Sequence, residues 1–196
     1  MDEDGALTDR DSQAIADAVL RITARDGLHA VSIRTVAAEA GRSVGMVQRR
    51  FGSKDHLLRC AMRRVVELVA SRIRGRLAAL GPAPDPREFV EELSVELITA
   101  GPVHHDEGMI WLAFLARAVV VPELAEELRE QYRPGEAAIA NALRDAGVAG
   151  IDPGLEATAL IAMLDGLTAH VLLGRIERAT AVRALRAQLD RLLPGR

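Results

Sequence analysis

Arg34, Arg42, Arg49, Arg50 and Lys54 fall within residues 32–54, a stretch in which Glu39 is the sole acid. Guanidinium and ammonium groups bind phosphate oxygens, and a guanidinium can also meet the O6/N7 edge of guanine with two hydrogen bonds. Gln48 adds a side chain able to pair in the same way with adenine. The cluster is local, because residues 1–80 carry 14 basic and 10 acidic side chains while residues 81–196 carry 11 and 18, for a net charge of −3 over the chain. The two halves are expected to face different partners, the first of them a polyanion.

Reading a polyanion requires a rigid mount, and the spacing of apolar residues supplies one. Helical periodicity runs through the chain, and no stretch alternates apolar and polar residues beside hairpin turns, so the expected fold class is all-α. A first helix spans about 11–25, with Thr8 or Asp9 as cap, Ile15, Val19 and Ile22 on one face and Gly27 as its stop. Ser32 caps a short helix whose Ile33, Val36, Ala37 and Ala40 make an apolar face, and Gly41-Arg42-Ser43 is a turn. Over 44–51, Val44, Val47 and Phe51 share one side, which leaves Gly45, Met46, Arg49 and Arg50 pointing elsewhere. Two short helices about a tight turn fit a helix-turn-helix, whose second helix enters the major groove of DNA. Ala37 is small because the second helix crosses close to it.

Downstream, a stripe from Leu57 to Leu80 predicts a connecting helix over 54–80, about 40 Å long. Gly81-Pro82-Ala83-Pro84-Asp85-Pro86 is a linker whose last two residues form an N-cap and a first-turn proline. Five more helices are expected at 87–100, 107–121, 122–147, 153–173 and 181–193. Gly101-Pro102, Pro122, Asp152-Pro153 and Gly174 separate them, and Pro134-Gly135 should kink or split the 122–147 helix.

The run Val31-Ser32-Ile33-Arg34-Thr35-Val36-Ala37-Ala38-Glu39-Ala40-Gly41, followed by Val44-Gly45-Met46-Val47-Gln48-Arg49-Arg50-Phe51-Gly52-Ser53-Lys54-Asp55-His56-Leu57-Leu58, resembles the DNA-binding domain of TetR-family transcriptional regulators. That resemblance implies an N-terminal domain over 1–55, with the connecting helix after it, and a helical C-terminal domain over 56–196 that dimerises and houses a ligand pocket. It implies a homodimer on a palindromic double-stranded DNA operator, in most cases a repressor released by a small-molecule effector. Leu164-Asp165-Gly166-Leu167 is similar to the betaine-regulator-like branch. By the same resemblance Arg34, Thr35, Ser43, Val44, Gly45, Met46, Gln48, Arg49, Arg50 and Lys54 meet the DNA, with Lys54 on the backbone at a helix N-terminus. Two positions depart from the family. Gln48 stands where many relatives have tyrosine, and Arg42 stands at a turn position often held by valine, its stem expected over apolar surface and its head in water.

In the C-terminal half the candidates for ligand contact are Met109, Trp111, Phe114, Arg117, Asp165 and His170, with Tyr132 as a further aromatic. Asp165 sits among Ile161, Leu164, Thr168 and Val171, and an acid there calls for a partner such as Trp111, Arg117 or a ligand cation. With 3% aromatic residues, the pocket should suit an apolar or amphipathic ligand. The stripe Ile161, Leu164, Thr168, Val171 and Leu172, together with Val182, Leu185, Leu189 and Leu192, forms either a four-helix dimer interface or part of the monomer core.

Other classes find less support. There is no Gly-rich phosphate loop, HExxH or nucleophile elbow, so no enzyme and no cofactor is expected. His104-His105-Asp106-Glu107 reads as a polar loop and not as a metal site. Cys60 reads as a small buried hydrophobe, with an oxidation sensor as the alternative. An acidic N-terminus without a signal, and no 18-residue uncharged run, point to a cytoplasmic protein with no membrane partner. A helical ligand-binding or interaction module without DNA binding is the runner-up.

Overall fold

The computed structural model describes residues 9–98 and 105–193, and among these there is no strand. The helices are α1 (Asp9–Asp26), α2 (Ile33–Glu39), α3 (Val44–Phe51), α4 (Lys54–Ala79), α5 (Pro86–Leu97), α6 (His105–Ala118), α7 (Pro122–Asp145), α8 (Pro153–Leu172) and α9 (Arg178–Leu192), with one 3₁₀ turn at Leu28–Ala30. Thr8, Gly101-Pro102 and His104 lie outside the described residues.

Local chemistry starts and stops these helices where the sequence places the signals. Gly27 and Gly41 adopt φ of 79° and 64°, a left-handed region that a side chain resists. Asp85 accepts the N–H groups of Arg87 and Glu88 while Pro86 opens α5, and Asp152 does the same for Gly154 and Leu155 ahead of Pro153. A proline costs nothing at that position because its missing N–H would be unpaired there anyway. Of the two outcomes expected at Pro134, the split does not occur: α7 is one helix across it. Buried Leu128, Ile139 and Leu143 pin the helix on both sides, and Gly135 lies against Ile161 of α8, so tertiary packing overrides the lost hydrogen bond.

Two apolar cores result. In the first, Ile15, Val19 and Ile22 of α1 meet Val36, Val47 and Phe51 of the helix-turn-helix and Leu57, Leu58 and Ala61 of α4. Ile110, Phe114 and Ala118 of α6 and Leu124 of α7 join the same core, so α6 is wedged against the N-terminal helices. The second core joins α5, α7, α8 and α9 through Val90, Leu143, Leu160, Leu164 and Leu189.

α8 is the most apolar helix, long and apolar enough by length and composition to cross a membrane. Its Ala157, Leu160, Ile161, Leu164 and Thr168 are nonetheless buried in the protein. Ile161, Leu164 and Thr168, with Leu185, Leu189 and Leu192 of α9, are part of the monomer core, whereas Val171, Leu172 and Val182 of the same stripe are half-buried. The outward stripe of α8 is a different one: Leu155, Ala159, Ala162, Gly166 and Leu173, with Leu155 and Leu173 70% and 75% exposed.

Charges tie the middle of the molecule together. Arg72 of α4 reaches Glu96 of α5 and Glu107 of α6, with Nη1 3.0 Å from Glu107 Oε1, and Arg76 Nε lies 3.0 Å from Glu96 Oε2. Both acids are buried. Removing Arg72 takes a guanidinium away from two buried carboxylates, so Arg72→Ala is expected to lose about 2–3 kcal/mol of stability, below the ~3–5 kcal/mol of a fully buried pair because Arg76 still serves Glu96. Urea unfolding measures this, and a change under about 0.5 kcal/mol, the range of an ordinary surface substitution, would show that the network is ornamental.

Candidate DNA interface and ligand cavity

The short recognition element is built from both sides of its sequence. Ser43 caps α3 by accepting the Met46 N–H at 3.2 Å. Val47 and Phe51 are buried against α1 and α4, while Val44, Gly45, Gln48, Arg49 and Arg50 are exposed and Met46 is half-buried. Val44 is half exposed, so it does not share the buried side with Val47 and Phe51 as its spacing suggested. Gln48 Nε2 donates to the Gly52 carbonyl at 3.3 Å, which steadies a side chain at the helix end. Gly45 stands where a Cβ would come 3.7 Å from Arg49 Nη1.

Neighbouring polar groups hold this unit in place. Arg42 Nη2 lies 2.7 Å from Asp11 Oδ1, so its head is bound to α1 instead of being left in water. Glu39 faces α1, where Arg21 Nε at 2.8 Å and Arg25 Nη1 at 3.3 Å meet it. The Arg21 hydrogen bond holds the Glu39 carboxyl below its usual range. The one acid of the basic stretch is thus neutralised away from α3. Arg34 is exposed on α2. Thr35 is otherwise engaged: its hydroxyl donates to Ala30 O at 2.8 Å and accepts the Ser32 N–H at 2.9 Å, leaving it no proton for a phosphate in this arrangement. Lys54 opens α4, and its Nζ donates to Leu28 O at 2.6 Å, which leaves two further protons on the ammonium.

α6 links this surface to the rest. Arg117, in its last turn, makes two hydrogen bonds to Asp55 of α4, at 2.9 and 3.0 Å. That bond holds the Asp55 carboxyl low.

A cavity of ≈ 300 Å³ lies beyond α6. α4 contributes Met62, Val65, Val66, Val69, Ala70 and Ile73, and α5 contributes Leu93 and Leu97. Trp111 comes from α6; Leu128, Gln131, Tyr132, Pro134 and Gly135 come from α7. Ile161, Leu164, Asp165 and Thr168 of α8 close it. The Tyr132 hydroxyl donates to Asp165 Oδ2 at 2.7 Å. Burial pushes the Asp165 carboxyl up to about 6 against the pull of that bond, and it pushes the Tyr132 phenol up as well.

Of the six residues expected at a ligand, Trp111 and Asp165 line the cavity. The other four do not. Phe114 is fully buried in the first core, Arg117 serves Asp55, Met109 is half-buried off the cavity wall, and His170 lies 3.1 Å from Arg175 Nη1. The α4 residues were missed because a helix read as a connector gives no sign that one of its faces borders a void. Among the described residues no three His, Cys, Asp or Glu side chains gather as a metal site would require. Cys60 is buried, and burial raises its pKa, away from the reactive thiolate.

Known proteins match both parts. The model for bacterial regulatory proteins of the tetR family matches residues 15–61, and that for the BetI-type transcriptional repressor C-terminal region matches residues 86–194. The HTH-type transcriptional regulator PksA of Bacillus subtilis is 29% identical over 161 residues, 81% of this chain and 77% of that protein. The regulator BetI of Vibrio parahaemolyticus is 29% identical over 66% of this chain, a match that spans 63% of its own length. A solved structure of a regulator from Saccharomonospora viridis in complex with choline superposes with a TM-score of 0.76 at 29% identity, covering 94% of this chain and 95% of that one. With one family model on the helix-turn-helix and another over more than half of the chain, the protein belongs to the TetR family of DNA-binding transcriptional regulators, with a BetI-type C-terminal domain.

Proposed function

We propose that the protein is a cytoplasmic repressor that works as a homodimer, places two α3 helices in the major groove of a palindromic operator, and lets go when a small apolar or amphipathic molecule fills the α4–α8 cavity. Residues 1–55 serve as the DNA-binding unit and 56–196 as the ligand-binding and dimerisation unit, without catalysis. The observation that carries this reading is α3, whose apolar side is locked into the first core while Gln48, Arg49 and Arg50 stand outside. Arg34, Ser43, Val44, Gly45, Met46 and Lys54 border the same contact. Thr35 supports it from behind as part of the α2 cap.

Dimerisation is supported by α8, whose outward Leu155, Ala159, Ala162, Gly166 and Leu173 form an apolar stripe with small residues at its centre. Small residues let a second helix approach closely, and two half-sites need recognition helices about 34–36 Å apart. The choline held by the Saccharomonospora regulator supports a small effector in a domain of this kind.

Two experiments test this. Selection of bound duplexes from a random pool should recover two inverted half-sites; on that DNA, Arg49→Ala and Arg50→Ala should each either flatten the salt dependence by about one phosphate contact or lose about 1–3 kcal/mol of base discrimination. No retained DNA would favour the helical module without DNA binding. Separately, Ala162→Glu should leave the helix content intact, because Ala162 is exposed in one protomer, yet turn the dimer into a monomer in sedimentation. A dimer unchanged by that substitution would place the interface elsewhere.

A further inference from the structure

We infer that the acidic segment ahead of α1, through Asp2, Glu3 and Asp4, docks on the cationic face of α3 when no DNA is bound, and that a duplex must displace it. This rests on the reading of α3 as the DNA-contacting helix.

The placement of α1 supplies the geometry. Arg42, in the turn before α3, holds Asp11 in the first turn of α1, with Nη2 2.7 Å and Nε 2.9 Å from Oδ1. One residue further on, Ser12 O accepts from Cys60 Sγ at 3.6 Å. Burial raises the pKa of that thiol, while the charges of Arg63 and Arg50 oppose the rise, so Arg50 lies within electrostatic reach of it. The start of α1 is therefore set between the turn that opens α3 and an arginine of its last turn. The residues that precede α1 in the sequence are tethered at that point.

Charge and reach complete the match. Residues 2–4 are Asp-Glu-Asp, and residues 1–8 contain no Lys or Arg. A chain extends at most about 3.3–3.6 Å per residue, which allows Asp4 to sit about 17 Å from Asp9 and Asp2 about 24 Å from it. α3, with eight residues, is about 12 Å long, so the tether exceeds the length of the helix it would lie along. Arg49 and Arg50 are exposed, and among the described residues no carboxylate stands against Arg50. Glu39, the single acid of residues 32–54, is turned to Arg21 and Arg25 of α1 and leaves the α3 cations to other partners. Tethering holds the three carboxylates at a millimolar effective concentration near this face. Each exposed pair is weak and screened by salt, so the segment yields to a duplex, whose phosphates are far more numerous.

The test compares the full-length protein with its Asp2→Asn/Glu3→Gln/Asp4→Asn variant. Without DNA, modification by phenylglyoxal followed by peptide mass analysis reads the accessibility of Arg50, with Arg133 of α7, whose side chain is 66% exposed, as the reference. At about 50 mM salt Arg50 should react about threefold faster in the variant and Arg133 equally in both; in the wild type the protection should fade as salt rises toward about 500 mM. On the selected operator the variant should bind about three- to tenfold more tightly at about 50 mM salt, with a salt slope steeper by about one to three phosphate contacts, so that the two proteins converge at high salt.

Tighter DNA binding by the variant with unchanged reactivity of Arg50 would reduce the acids to plain repulsion of phosphates and overturn the docked segment. Equal affinity and slope would overturn its competition with DNA. Protection of Arg50 that grows with protein concentration would give the contact to the segment of another molecule. Arg49→Ala and Arg50→Ala proteins that both bind the operator as the wild type does would remove α3 as the DNA face, and this inference with it, whereas a failure confined to the acid variant leaves that face in place.

Discussion

The burial of Val47 and Phe51 between α1 and α4 is the constraint on which the rest depends. An eight-residue helix has no stability of its own, since nucleation costs more than so few hydrogen bonds return. α3 exists because those two side chains are seated in the first core, and their seating fixes which residues face outward. A rigid helix can place Gln48, Arg49 and Arg50 in one register on a duplex, whereas a frayed one would spread the same charges over many poses and lose specificity to ordering entropy.

That core does not stop at the helix-turn-helix. Ile110, Phe114 and Ala118 of α6 pack into it, and on the same helix Trp111 faces the ligand cavity while Arg117 grips Asp55 at the start of α4. One helix therefore touches the void, the DNA-binding core and the first turn after the recognition helix. The ion pair itself is solvent-exposed, and such pairs contribute modestly. Its effect lies in direction: it ties the end of α6 to the start of α4. α4 adds a second route, because it begins at Lys54 and lines the cavity further along with Met62, Val65 and Val69.

The legible parts of the sequence are those governed by neighbouring residues. Ser32, Gly41, Asp85-Pro86 and Asp152-Pro153 act within a few residues of themselves, and each starts or stops a helix where its chemistry predicts. The basic stretch was equally visible, because charge clustering needs no tertiary information. What depends on distant contacts was hidden. Pro134 reads as a breaker until Ile139, Leu143 and α8 hold both sides of it. Arg117 reads as a pocket residue until α6 is laid across α4 and brings Asp55 within 2.9 Å, and Thr35 reads as a phosphate ligand until Ala30 claims its proton. α8 carries apolar residues on more than one side, so periodicity alone could not tell its core side from its outward side. Asp165 stood out as an acid among aliphatics, yet its partner Tyr132 lies 33 residues away on another helix, a pairing that local spacing does not encode.

Hydrogen–deuterium exchange of the full-length protein, with and without a duplex selected for binding, tests the central claim most directly. The predicted result is new protection concentrated in residues 43–54, where α3 and the start of α4 would be shielded by the groove. Protection absent there and appearing on another surface, with the duplex bound, would contradict it.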